Sequence, residues 1–149
     1  MRSPGTILFV MFALAFTVNA CSDGGDPVAS LPPLGSSPSS YSYNGYNSKG
    51  LLVVVGSITL VVTDSQVVSG TWTLECIAQG EKVGPQTGSG TLTGSFQNSR
   101  VAVNLNPGWV DNNVFLSGTF DKDRFIGSWM WSTFAGPTSE GRFEALRIR

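Results

Sequence analysis

The 149-residue chain carries 9 Lys and Arg against 10 Asp and Glu, and no histidine. Near-neutral charge offers no pull toward nucleic acid or an anionic surface. The missing imidazole removes the commonest general base, the commonest metal ligand and every serine–histidine or cysteine–histidine pair.

Residues 1–20 read as a signal peptide. Arg2 supplies a thin basic start, and Ile7 to Phe16 form an apolar run too short to cross a bilayer as a helix. Thr17-Val18-Asn19-Ala20-Cys21 follows, and Val18, Ala20 and Cys21 resemble the lipobox of bacterial lipoproteins. That resemblance implies cleavage before Cys21, lipid on its thiol, and a membrane anchor in the bacterial envelope. Ser22 follows the cysteine where an aspartate would signal inner-membrane retention, so the same resemblance implies the outer membrane. The alternative is cleavage after Ala20 to give a secreted or periplasmic soluble protein, in which Cys21 could form a disulfide with Cys76.

Residues 21–48 are assigned to a tether. Its Pro-, Ser- and Gly-rich runs hold too little apolar surface to offset the entropy of ordering. Within it, Tyr41 to Tyr46 contains the turn-forming pair Asn44-Gly45 and reads as a short strand or hairpin docked on the following domain.

Residues 49–149 read as one domain of strands. Leu51 to Val62 is β-branched and aliphatic, with Gly56 as a bulge or bend, and Ile58, Leu60 and Val62 on one face. After Thr63-Asp64-Ser65 turns the chain, Val68, Gly70, Trp72, Leu74 and Cys76 alternate against Ser69, Thr71, Thr73 and Glu75. Gln79 to Thr87 is the longest internal loop. Leu92, Gly94 and Phe96 then face inward, Asn98-Ser99 turns, and Val101, Val103 and Leu105 return. A second loop runs from Asn106 to Asn113. Leu116 to Trp131 is a hairpin about Asp121-Lys122-Asp123, with Phe120, Phe125, Trp129 and Trp131 inward. Gly136-Pro137 is expected to turn the chain into a last strand, Ser139 to Ile148.

Three hairpins repeat at intervals of about thirty residues. Sequential hairpins form a meander, so the expectation is an all-β fold: an antiparallel up-and-down meander of seven to eight strands closing into a small soluble barrel. Polar outward positions argue against a membrane-spanning wall. Inward glycines at 70, 94, 118, 127 and 141 suit tight curvature. The domain resembles the calycin-like barrels, the group of lipocalins, avidins and bacterial protease inhibitors. Its Gly70-Thr71-Trp72 and Gly127-Ser128-Trp129 pieces carry that likeness, and Arg147 could play the late basic residue of lipocalins. No biotin-site motif of avidins is recognisable.

Chemistry is scarce. The aspartates sit in turns, Glu75 and Glu144 face outward, and no catalytic group, metal site or cofactor is expected. The aromatic residues are the functional signal. Trp72, Phe96, Trp129 and Trp131 either fill the interior or line one mouth of the barrel and stack on a small apolar ligand. Loop residue Trp109 is a candidate contact for a partner such as an envelope protein. The expected function is a non-enzymatic binding module, for a small apolar ligand or, using its loops, for a protein.

Overall fold

The computed structural model describes residues 37–149, apart from 64 and 122. The signal peptide, Cys21 and most of the tether lie outside the described residues. Eight strands follow one another: β1 (Ser39–Asn47), β2 (Leu52–Val62), β3 (Val67–Cys76), β4 (Gly88–Gln97), β5 (Arg100–Asn104), β6 (Asn113–Asp121), β7 (Arg124–Thr133) and β8 (Gly136–Arg147). Each pairs antiparallel with the next and β8 pairs back onto β1, closing the barrel.

Period-2 patterning produces this. Val68, Trp72 and Leu74 are buried in β3 while Ser69, Thr71, Thr73 and Glu75 face solvent. The same alternation runs through β6, with Val114, Leu116 and Phe120 buried. The turn chemistry also agrees. Asn98 and Ser99 both take positive φ, 50° and 65°, the geometry that lets a two-residue loop join β4 to β5 without splaying them.

The glycines explain how closely the strands approach. A Cβ on Gly70 would stand 1.8 Å from the Thr59 carbonyl oxygen, and one on Gly94 2.0 Å from that of Ala102. Gly118 and Gly127 face each other across β6 and β7, and a Cβ on either would meet the opposite backbone at 2.1 Å. No side chain fits there.

Three boundaries differ from the sequence expectation. The barrel opens at Ser39, inside the segment assigned to the tether (21–48), so the domain is longer than 49–149. Tyr41 and Tyr43 point into the core, Asn44-Gly45 lies within β1 beside a register shift between Gly45 and Tyr46, and the turn falls later. There, Asn47 Oδ1 accepts the Lys49 and Leu51 amides at 3.0 Å each, and Gly50 takes φ 82°. Without β1 the sheet could not close. Gly136-Pro137 is not a turn either: Phe134 and Ala135 connect the strands, and Pro137 lies in β8 beside a register shift at Trp131/Ser132, where a missing N–H is tolerated. Gly56 keeps its place in both ladders at φ 150°, so it is not a bulge.

Side chains fill the interior. Rings run in file: Tyr41 on Phe120 (centroids 5.8 Å apart), Phe120 on Phe125 (4.8 Å), Phe125 edge-on to Phe143 (4.7 Å), and Phe143 on Tyr43 (5.6 Å). Such pairs add about 0.5–1.5 kcal/mol each beyond their burial. Burial pushes the Tyr43 hydroxyl far above the ordinary tyrosine range, and Tyr41 is also raised by burial against the opposing pull of Arg147.

Candidate functional site

Alternating strand direction sorts the connections onto two ends. The β2–β3, β4–β5 and β6–β7 turns share one end with the start of β1. The opposite end carries the two long loops, 77–87 and 105–112, with the β1–β2 and β7–β8 turns.

Loop 77–87 turns inward and plugs its end. Gln86 is 0% exposed; its Oε1 accepts the Tyr43 hydroxyl at 3.2 Å and its Nε2 donates to the Val83 carbonyl at 2.8 Å. Gly84, at φ 64°, lies flat on Trp131, where a Cβ would fall 2.4 Å from the indole. The Ser139 hydroxyl donates to the Lys82 carbonyl and ties the loop to β8.

Loop 105–112 is held by amide side chains. Asn104 Oδ1 accepts the Asn106 amide at 2.9 Å, and Asn104 Nδ2 donates to Asn113 Oδ1 at 2.9 Å. Asn113 Nδ2 donates to the Trp109 carbonyl at 3.3 Å. Asp111 Oδ1 accepts the amides of Asn112 (2.7 Å) and Phe134 (2.5 Å), joining the loop to the β7–β8 turn. Both loops are therefore held to the barrel by their own hydrogen bonds.

The structure separates the aromatic residues singled out from sequence. Trp129 is 1% exposed and donates its indole N–H to the Tyr46 carbonyl at 2.9 Å. Trp72 is buried and donates to the Leu105 carbonyl at 2.6 Å; Trp131 is half-buried and donates to Asn112 Oδ1 at 2.5 Å. Trp129 and Trp72 pin backbone carbonyls, and Trp131 pins the Asn112 side chain. Phe96 does not join them. It sits at the opposite end, paired with Val101 beside the Asn98-Ser99 turn. It lies six residues along β4 from Gly90, the partner of Trp72, or about 20 Å at strand rise. Trp109, 55% exposed, is presented on its loop. Cys76 is half-buried, its thiol donating to the Ala78 carbonyl at 3.4 Å.

Three cavities stand out among the described residues. The largest of the three, about 710 Å³, is an open groove on the outer wall over Gly118 and Gly127, flanked by Arg100 and Arg142. A second, about 500 Å³, lies between the β1–β2 turn and loop 77–87, beside Lys49, Glu81 and Glu140. The third, about 300 Å³, separates the two long loops; Trp72 forms its floor and Trp109 and Asn106 one side. Asn106 is 7% exposed, and its Oδ1 has no hydrogen-bond partner among the described residues. Among those residues no group of His, Cys, Asp or Glu gathers as metal ligands.

Sequence reasoning missed Gln86, Asn106, Asp111 and Asn112. Polar residues in a loop read as solvated by default, and only the Asn-rich run from Asn104 to Asn113 hinted at side chains bonding backbone.

With this geometry in view, the chain is similar to a solved structure, the rhizavidin–biotin complex. The identity is 21% and the TM-score 0.51, over 76% of this chain and 93% of that one. At that identity the likeness is one of fold: an avidin-like barrel. The chain matches no protein-family model, and no curated protein matches it by sequence.

Proposed function

We propose that this protein is an exported, lipid-anchored, non-enzymatic binding module that takes a small ligand at the loop-bearing end of its barrel. The observation that carries the reading is the cleft between the two pinned loops, about 300 Å³, with Trp72 below and Trp109 alongside. It stands at the lower bound of small-ligand sites, concave and partly apolar. Gln86 and the ring file occupy the barrel axis, so a ligand would seat in the rim and not deep inside. The fold likeness adds support, since rhizavidin is a barrel of this kind whose structure holds biotin.

Anchoring rests on Val18, Ala20 and Cys21. β1 begins at the end opposite the loops, so a tether from Cys21 would join the barrel at the end away from the cleft. Labelled palmitate should enter the wild-type protein and not Cys21→Ser, which should move from the outer-membrane fraction to the periplasm. Wild-type protein that takes up no palmitate and is recovered soluble, as Cys21→Ser is, would refute the anchor and favour cleavage at Ala20. For the binding reading, intrinsic tryptophan fluorescence is titrated with biotin, lipids, apolar dyes and neutral metabolites. A saturable change that Trp109→Ala weakens is expected; a flat response to every compound sinks it.

One observation favours a second reading, a protein partner. Asp111 gathers Trp109, Val110 and the 93%-exposed Phe134 on one rim. Exposed aromatic clusters of this sort anchor protein contacts. Pull-down from envelope extract should then lose its captured protein with Phe134→Ser, and an unchanged capture would set this reading aside.

A further inference from the structure

We infer that the cleft between loops 77–87 and 105–112 binds a neutral saccharide, stacked on Trp109 and hydrogen-bonded to Asn106. The inference rests on the small-ligand reading and names the ligand class. Three observations carry it.

First, no residue lining the cleft is titratable, whereas the other two cavities are flanked by arginines, lysines or carboxylates. A charged ligand would leave water for a site that offers it no counter-charge, so the ligand is neutral.

Second, the cleft is amphipathic. Trp109 gives a flat apolar face on a loop fixed by its own amides, while Thr87, Ser89 and Thr91 bring hydroxyls that make no hydrogen bond among the described residues. A sugar ring has the matching form: C–H groups on its faces and hydroxyls around its edge. A purely apolar ligand would strand those hydroxyls.

Third, Asn106 Oδ1 is an acceptor without a donor. Leaving it so keeps the desolvation penalty of an unpaired polar atom, which a ligand hydroxyl would relieve. A hydroxyl both donates and accepts, so it satisfies the amide in either orientation. Asn106 lines the cleft while its Oδ1 is almost fully covered, so the amide must turn toward the ligand for the bond to form.

The test titrates the purified full-length chain, by calorimetry and tryptophan fluorescence, with cellobiose, maltose and di-N-acetylchitobiose. Glucuronic acid serves as the charged comparison and biotin as the non-sugar one. At least one neutral disaccharide should saturate the signal, with glucuronic acid weaker and affinity constant from about pH 5 to about pH 9, since nothing in the cleft titrates there. Trp109→Ala should weaken binding by roughly thirtyfold and Trp109→Phe by much less, with melting temperatures confirming that both fold. Saccharide binding indifferent to Trp109 would overturn the placement. Trp109-dependent binding of biotin alone would overturn the saccharide class and leave the small-ligand reading standing. Silence from every compound would remove both.

Discussion

Gly127→Ala turns the closeness of β6 and β7 into a measurement. At an exposed, unstrained position this substitution stabilises a protein by about 0.4–1 kcal/mol, because the unfolded chain loses freedom. Here the added methyl would stand 2.1 Å from the Ser117 carbonyl oxygen and 2.6 Å from the Gly118 Cα, both backbone atoms. Ordinary contact would require the strands to part by more than 1 Å, while both are bonded into a sheet with no free edge to slide. The penalty belongs at the top of the overpacking range, about 3 kcal/mol. For a domain of this size that lowers the melting temperature by roughly 10–15 °C. Gly108→Ala is the control, since nothing lies within 4 Å of its Cβ position, and it should melt with or slightly above wild type. Circular dichroism at 218 nm and tryptophan fluorescence would follow both melts. The reasoning fails if Gly127→Ala melts within about 2 °C of Gly108→Ala, because strands so close cannot absorb a methyl without loss.

Other outcomes follow from the same contacts. Trp72→Phe keeps most of the buried ring but strands the Leu105 carbonyl, so it should cost about 1–3 kcal/mol in a denaturant melt and speed hydrogen exchange in loop 105–112. Gly84→Ala should raise tryptophan exposure to acrylamide, because loop 77–87 can no longer lie on Trp131. Tyr41 and Tyr43 hold their protons more tightly folded than unfolded, so stability should be level below about pH 10, the unfolded tyrosine value, and fall as pH rises above it. Tyr43→Phe should flatten that alkaline decline while lowering stability at neutral pH, since Gln86 Oε1 loses its donor. An alkaline slope identical in both proteins would show that Tyr43 is not the group responsible.

Much of the barrel was legible residue by residue. Alternation in β3, β4, β6 and β7, the turn residues Asn98 and Ser99, and glycines recurring on inward positions are local properties of the chain, and each constrains backbone shape within a few residues. Consecutive hairpins with those faces leave closure as the way to bury one side and remove the edges. β1 was harder to see, because Ser39–Asn47 is mostly polar on one face, carries only Tyr41 and Tyr43 as large apolar residues on the other, and contains a misleading Asn44-Gly45.

The site could not be read in this way. Tryptophans 72, 129 and 131 look alike in sequence as inward aromatics, yet each is committed to a different backbone or side-chain acceptor. Trp129 finds its acceptor 83 residues away at Tyr46, and Tyr43 finds Gln86 across 43 residues. Which polar atom is satisfied and which is left over, as at Asn106, depends on the register summed around eight strands and on where two loops come to rest. Local patterning dictated that a barrel would form and which way each strand would face. Only packing around the closed ring decided that the interior is filled and that a neutral cleft opens between the loops.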